Sequence, residues 1–210
     1  MKDKARLVKI CGITSVRDAQ KCADLGADMI GFIFHPQSPR FVGPFFPETL
    51  PDRSVLKVGV FVDQDADVVR TIMDDCRLDL AQLHGGQDET FCEAVGPERV
   101  IKVLWPDRYE TDEDFQVELN RFAPHCRHFL FDAGSSGGGH GRTLDRSRLR
   151  RVEVSRPWLL AGGLTPDNLP EALEQCAPHG VDLNSGVESA PGKKDHDKLE
   201  KLFHILSEER

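Results

Sequence analysis

The sequence predicts an α/β fold, a single-domain (β/α)8 TIM barrel spanning residues 1–210. Three observations predict it. Short apolar, β-branched runs recur along the whole chain, each followed by a turn and then a more polar segment with helical spacing, the pattern of repeated βα units. About eight such runs occur, the number that closes a parallel barrel, whereas an open doubly wound sheet with the same alternation needs fewer. The length of 210 residues suits one substantial core rather than two.

In chain order, strands are expected near Leu7 to Cys11, Asp28 to Phe34, Leu56 to Val62, Asp79 to His84, Val100 to Leu104, His128 to Asp132, Trp158 to Ala161 and Val181 to Asn184. The first helix starts at the cap Ser15, carries Val16, Ala19 and Ala23 on one face, and ends at Gly26. The last begins around Asp195 and sets Leu199, Leu202, Phe203 and Leu206 on one stripe. The crossover from Phe41 to Ser54 is rich in proline and is the least regular. The stretch Gly134 to Gly141 has the composition of a linker, but about 70 residues follow it with only two strand signals, too few for a second core. It is expected to be an active-site loop.

Composition narrows the function. The chain is 39% hydrophobic and 30% charged, with mean hydropathy −0.39, and no apolar run is long enough to cross a bilayer. A net charge of −8 provides no basic field for nucleic acid, while leaving room for a locally positive site that takes a small anion. The apolar patch Leu7 to Ile10 is too short for a secretory signal, so a cytoplasmic location is expected, with no membrane partner. The six cysteines, Cys11, Cys22, Cys76, Cys92, Cys126 and Cys176, form no C-x-x-C pair and suggest neither metal nor disulfide scaffold.

In a parallel barrel the chemistry sits at the C-terminal ends of the strands. Two groups stand out there. Ala161-Gly162-Gly163-Leu164-Thr165 and Asn184-Ser185-Gly186-Val187-Glu188 follow the seventh and eighth strands, where such barrels hold phosphate. Either segment alone reads equally as a tight turn; together they point to phosphate binding by Gly162, Gly163, Ser185 and Gly186. The second group is the thiol of Cys11 at the end of strand one and the carboxylate of Asp132 at the end of strand six, a base and a proton donor aimed into one mouth. On its own, a cysteine in an apolar strand reads as a small buried side chain.

Lys9 shares the inward face with Cys11, and a buried lysine needs a partner; Asp182 on the eighth strand is the candidate, as a structural pair. Lys102 on the fifth strand is the other lysine to be weighed for Schiff-base chemistry.

Several segments together resemble the phosphoribosylanthranilate isomerase family of tryptophan biosynthesis. They are Lys9-Ile10-Cys11-Gly12-Ile13-Thr14, Gly31-Phe32-Ile33-Phe34 leading to Ser38-Pro39-Arg40, Val58-Gly59-Val60-Phe61-Val62, Gln82-Leu83-His84-Gly85, Leu160-Ala161-Gly162-Gly163-Leu164, and Ser185-Gly186-Val187-Glu188. The first two segments are specific; the glycine pairs are shared by many phosphate-binding barrels. The resemblance implies a cofactor-free and metal-free Amadori rearrangement of a small phosphosugar, with Cys11 as general base and Asp132 as general acid. It also implies that Arg40 grips the anthranilate carboxylate and that His84 and Asp182 line the substrate site. Each catalyst then needs a pKa moved toward neutrality, down for Cys11 and up for Asp132.

Two departures are visible. Gly138-Gly139-His140-Gly141 stands where the family commonly has Gly-Gly-Thr-Gly, and Asn184 where serine is frequent. The backbone at Gly138, Gly139 and Gly141 is expected to wrap the phosphate. A phosphosugar isomerase of histidine biosynthesis is the nearest rival, but its first strand characteristically ends in aspartate. A noncatalytic phosphosugar-binding barrel would lack the acid or the base.

Overall fold

A computed structural model describes residues 6–43, 46–47, 55–132 and 146–208. Eight parallel strands form a closed barrel in sequential order: β1 (Leu7–Ile10), β2 (Met29–Ile33), β3 (Leu56–Phe61), β4 (Leu80–Leu83), β5 (Val100–Leu104), β6 (His128–Asp132), β7 (Trp158–Ala161) and β8 (Gly180–Leu183). Closure is made by β1 against β8, in a register that sets Lys9 opposite Asp182. The expected strands are all present, four of them trimmed by a residue at one or both ends and the eighth shifted one residue toward the N-terminus.

Two apolar layers follow from the strand period of two. Inward-facing Met29, Val58, Leu80, Ile101, Val103, Leu130 and Leu159 fill the barrel, while Val8, Ile10, Phe32, Phe61, Phe129 and Phe131 face the helices. The helices are α1 (Val16–Leu25), α2 (Ala66–Asp75), α3 (Glu89–Val95), α4 (Asp112–Phe122), α5 (Leu169–Cys176) and α6 (His196–Glu208). Ser15 caps α1 by accepting the Asp18 amide at 3.1 Å, and Gly26 ends it in the left-handed region at φ 95°. In α6, Leu199, Leu202 and Leu206 are buried, as the stripe predicts.

Two parts depart from strict alternation. Among the described residues the link before β7 carries only a 3-10 turn, Arg146–Arg150. Beyond β8 the chain makes a small antiparallel pair, β9 (Glu188–Ala190) with β10 (Lys193–Lys194), before α6 begins. The segment Gly134 to Gly141, and most of the proline-rich crossover, lie outside the described residues. Among the described residues no helix is long and apolar enough to cross a membrane.

Candidate active site

A cavity of about 490 Å³ opens at the C-terminal ends of the strands. Cys11, Arg40, His84, Asp132 and Asp182 all line it. So do Gly162, Gly163, Ser185 and Gly186 from the loops after β7 and β8. The remaining expected phosphate residues, Gly138, Gly139 and Gly141, lie outside the described residues.

The floor is electrostatic. Lys9, fully buried, donates to both carboxylate oxygens of Asp182 at 3.0 Å each, the pair anticipated from the barrel's closure. Burial alone would lower the Lys9 pKa, but Asp182 and the neighbouring Cys11 outweigh it and hold the ammonium's pKa above its ordinary value. Cys11 behaves contrary to expectation. Burial pushes its thiol up, the positive charge of Lys9 pulls it down, Asp182 adds to the rise and Lys194 opposes it; the balance stays above an ordinary thiol. The expected downward shift is therefore corrected: at 4% exposure, lost hydration outweighs two nearby cations.

Arg40 arrives from the turn after β2, where its amide donates to Ser38 Oγ at 3.1 Å. Its guanidinium is already held by Glu188: Nε lies 3.0 and 3.1 Å from the two carboxylate oxygens and Nη2 lies 2.7 Å from Oε2. That side-on grip leaves the other edge of the fork for a second anion. Glu188 also accepts from Lys194 Nζ at 2.9 Å, and Lys194 in turn reaches Asn184 Oδ1 at 3.1 Å. Burial raises the Glu188 pKa, yet the hydrogen bonds from Arg40 and Lys194 overcome it and hold the carboxyl below its usual range.

Across the mouth, Gln82 Nε2 lies 3.2 Å from His84 Nδ1, and His84 Nε2 lies 3.5 Å from Asp132 Oδ2. The imidazole packs edge-on against Trp105 with ring centroids 5.3 Å apart. Lys102 is absent from this group. It points outward, donating to the Gln87 carbonyl at 2.6 Å and lying 4.6 Å over the Phe122 ring, which removes it as a Schiff-base candidate.

The loops after β7 and β8, expected to take phosphate, present backbone to the cavity. Gly162 and Gly163 both have positive φ, 91° and 66°, and Asn168 braces their loop by donating to the Gly163 carbonyl at 3.0 Å. At Gly186 a Cβ would stand 1.8 Å from the Leu164 carbonyl oxygen, so the loop after β8 lies directly on the loop after β7. Only glycine allows that approach.

The family profile described as N-(5'-phosphoribosyl)anthranilate (PRA) isomerase matches residues 8–205. The chain belongs to this family. A family member from Maridesulfovibrio salexigens, N-(5'-phosphoribosyl)anthranilate isomerase, is 54% identical over 202 residues, covering 96% of this chain and 98% of its own. The crystal structure of phosphoribosyl anthranilate isomerase from Thermus thermophilus is similar at TM-score 0.82 and 36% identity, covering 97% of this chain and all of the other. A further solved phosphoribosyl anthranilate isomerase, in complex with reduced 1-(o-carboxyphenylamino)-1-deoxyribulose 5-phosphate, is similar at TM-score 0.79 and 31% identity, covering 97% and 99%.

Sequence reasoning within the family pattern assigned no part to Gln82, Glu188 or Lys194. Glu188 carried a usable signal: a carboxylate inside a glycine-rich anion loop is misplaced unless it meets a cation. Lys194 carried none, because the three- and two-residue strands around its turn are too short for a period to show.

Proposed function

We infer that this chain converts N-(5-phospho-β-D-ribosyl)anthranilate to 1-(2-carboxyphenylamino)-1-deoxy-D-ribulose 5-phosphate, the third step of tryptophan biosynthesis from chorismate, and we propose Cys11 as its base and Asp132 as its acid. The observation that carries the assignment is that a thiol and a carboxyl, from strands on different sides of the barrel, line one cavity with the glycine loops after β7 and β8.

In this reading Asp132 protonates the furanose ring oxygen and the C1–O bond breaks, leaving an iminium between C1 and the anthranilate nitrogen. The iminium acidifies the C2 proton, which the Cys11 thiolate removes. The resulting enolamine takes up a proton at C1 and loses its C2 hydroxyl proton to give the ketone. Acid and base thus act on different atoms in succession.

Arg40 offers its free edge to the anthranilate carboxylate, with Asp182 and His84 along the sugar. The backbone at Gly162, Gly163, Ser185 and Gly186 receives the phosphate, joined by Gly138, Gly139 and Gly141. The reaction needs no redox partner, and residues 1–210 serve as one catalytic domain in the cytoplasm. The test is consumption of freshly prepared phosphoribosylanthranilate by the purified protein, followed by loss of its fluorescence. Loss of signal at an enzyme-dependent rate is expected; a rate equal to spontaneous decay overturns the reading.

A further inference from the structure

Lys9 and Asp182 form a buried pair that a barrel of this kind could replace with two apolar side chains at no cost in packing. Its position explains why a charge is kept there. Lys9 and Cys11 are two residues apart on one strand and project to the same inner face. Gly31 on the adjoining strand supplies the third wall: a Cβ built there would lie 2.8 Å from Cys11 Sγ and 3.0 Å from Lys9 Nζ. Sulfur and ammonium therefore border the same corner of the interior, a corner that stays open to them because residue 31 has no side chain.

We propose that Lys9 is a positioning residue for the reaction, its ammonium stabilising the Cys11 thiolate while Asp182 holds that ammonium in place. The proposal rests on Cys11 being the base. Four charged groups act on the sulfur: Lys9 on its own strand, Asp182 on β8, Lys194 from β10, and Arg40 from the turn after β2. Arg40 and Lys194 share the single anion Glu188, and Lys9 is matched by Asp182, so these five groups leave one positive charge uncompensated. A thiolate at Cys11 would balance it. Of the two lysines opposing the effect of burial on the thiol, Lys9 has the larger influence.

The test reads the sulfur directly. The apparent pKa of Cys11 is obtained in the intact protein from the pH dependence of its alkylation by iodoacetamide, followed on the Cys11 peptide by mass. Cys22 and Cys126, pushed up to about 12, and Cys92 and Cys176, raised to about 11, are buried away from the cavity and do not compete. Lys9→Met is expected to raise the Cys11 value by about one to three units, the usual influence of an adjacent opposite charge. Asp182→Asn should lower it, because the ammonium then faces the sulfur alone.

Opposite signs from two substitutions in one ion pair are not produced by loosened packing. Because Lys9→Met leaves Asp182 unpaired, the double variant Lys9→Met/Asp182→Asn provides a folded alternative, and it too should shift upward, by less. An unchanged profile in either Lys9 variant, or a shift of the same sign in Lys9→Met and Asp182→Asn, overturns the role of Lys9. The two readings fail separately: if Cys11→Ala keeps kcat the base assignment falls, whereas if Cys11→Ala loses kcat and alkylation ignores Lys9, only the present proposal falls.

Discussion

The two sides of the cavity mouth are built differently. On the β8–β1 side each charged group is held by at least one close partner: Lys9 by Asp182, and Arg40 and Lys194 by Glu188, at 2.7 to 3.1 Å. On the β4–β6 side the contacts among the described side chains are looser. His84 approaches Asp132 only to 3.5 Å, beyond a good hydrogen bond, and Gln82 Oε1 and Trp105 Nε1 are buried without a hydrogen-bond partner among the described residues. The difference teaches that Cys11 and Arg40, the proposed base and carboxylate clamp, stand beside preformed ion pairs, whereas near Asp132, the proposed acid, Gln82 and Trp105 keep hydrogen-bonding capacity to spare. A fixed electrostatic floor stabilises developing charge without reorganisation; in the proposed reaction the slack side would offer partners to the substrate's hydroxyls.

The largest expected effect treats both sides alike. Cys11→Ala and Asp132→Asn should each lower kcat by about 10²- to 10⁴-fold, the range for losing a general acid or base, with KM changed far less. Steady-state kinetics of the two variants decide this, and a near-normal kcat in either removes that residue from its role.

Next comes Glu188→Gln, which should break the ordered side. It leaves Arg40 and Lys194 without their shared anion, at a cost on the order of 2–5 kcal/mol measured by urea unfolding, and it should raise KM as Arg40 loses its orientation. The pH dependence has a definite sign. The folded Glu188 carboxyl is held below its usual range, so its contribution is present above the unfolded value near 4.5 and is lost as pH falls through the folded value. The stability gap between parent and variant should therefore narrow as pH drops below about 4.5. A gap independent of pH would mean that Glu188 acts through packing alone.

Arg40→Lys retains the charge and removes the planar fork, and should weaken binding of a product analogue by about 1–3 kcal/mol. An analogue lacking the carboxylate serves as control: equal weakening of both would show that Arg40 does not read that group. The smallest effect belongs to the slack side. Gln82→Met removes an amide whose oxygen is already unpartnered, and stability should change by less than about 1.5 kcal/mol. A loss matching that of Glu188→Gln would abolish the contrast between the two sides.

The barrel was legible because its signal is repeated: β5, β6 and β7 run over the residues that the apolar runs mark out, and α1 begins and ends at Ser15 and Gly26 as capping chemistry requires. The Lys9–Asp182 pair was legible too, since closure makes β1 and β8 neighbours and period two fixes the face. Less was visible where the deciding quantity is a balance or a short element. Cys11 stands at a strand end in any reading, but the direction of its pKa depends on whether burial outweighs Lys9 and Lys194, which spacing does not contain. Lys194 reaches the site through a turn after β9, and no periodicity announces a two-residue strand.

The seating of Gly186 on the Leu164 carbonyl reaches beyond ligand binding. Backbone against backbone admits no cushioning by side chains, so the loops after β7 and β8 behave mechanically as one part. Here a loop transplanted after β7 alone would meet a surface shaped for its predecessor, and the two loops are transferable only as a matched set.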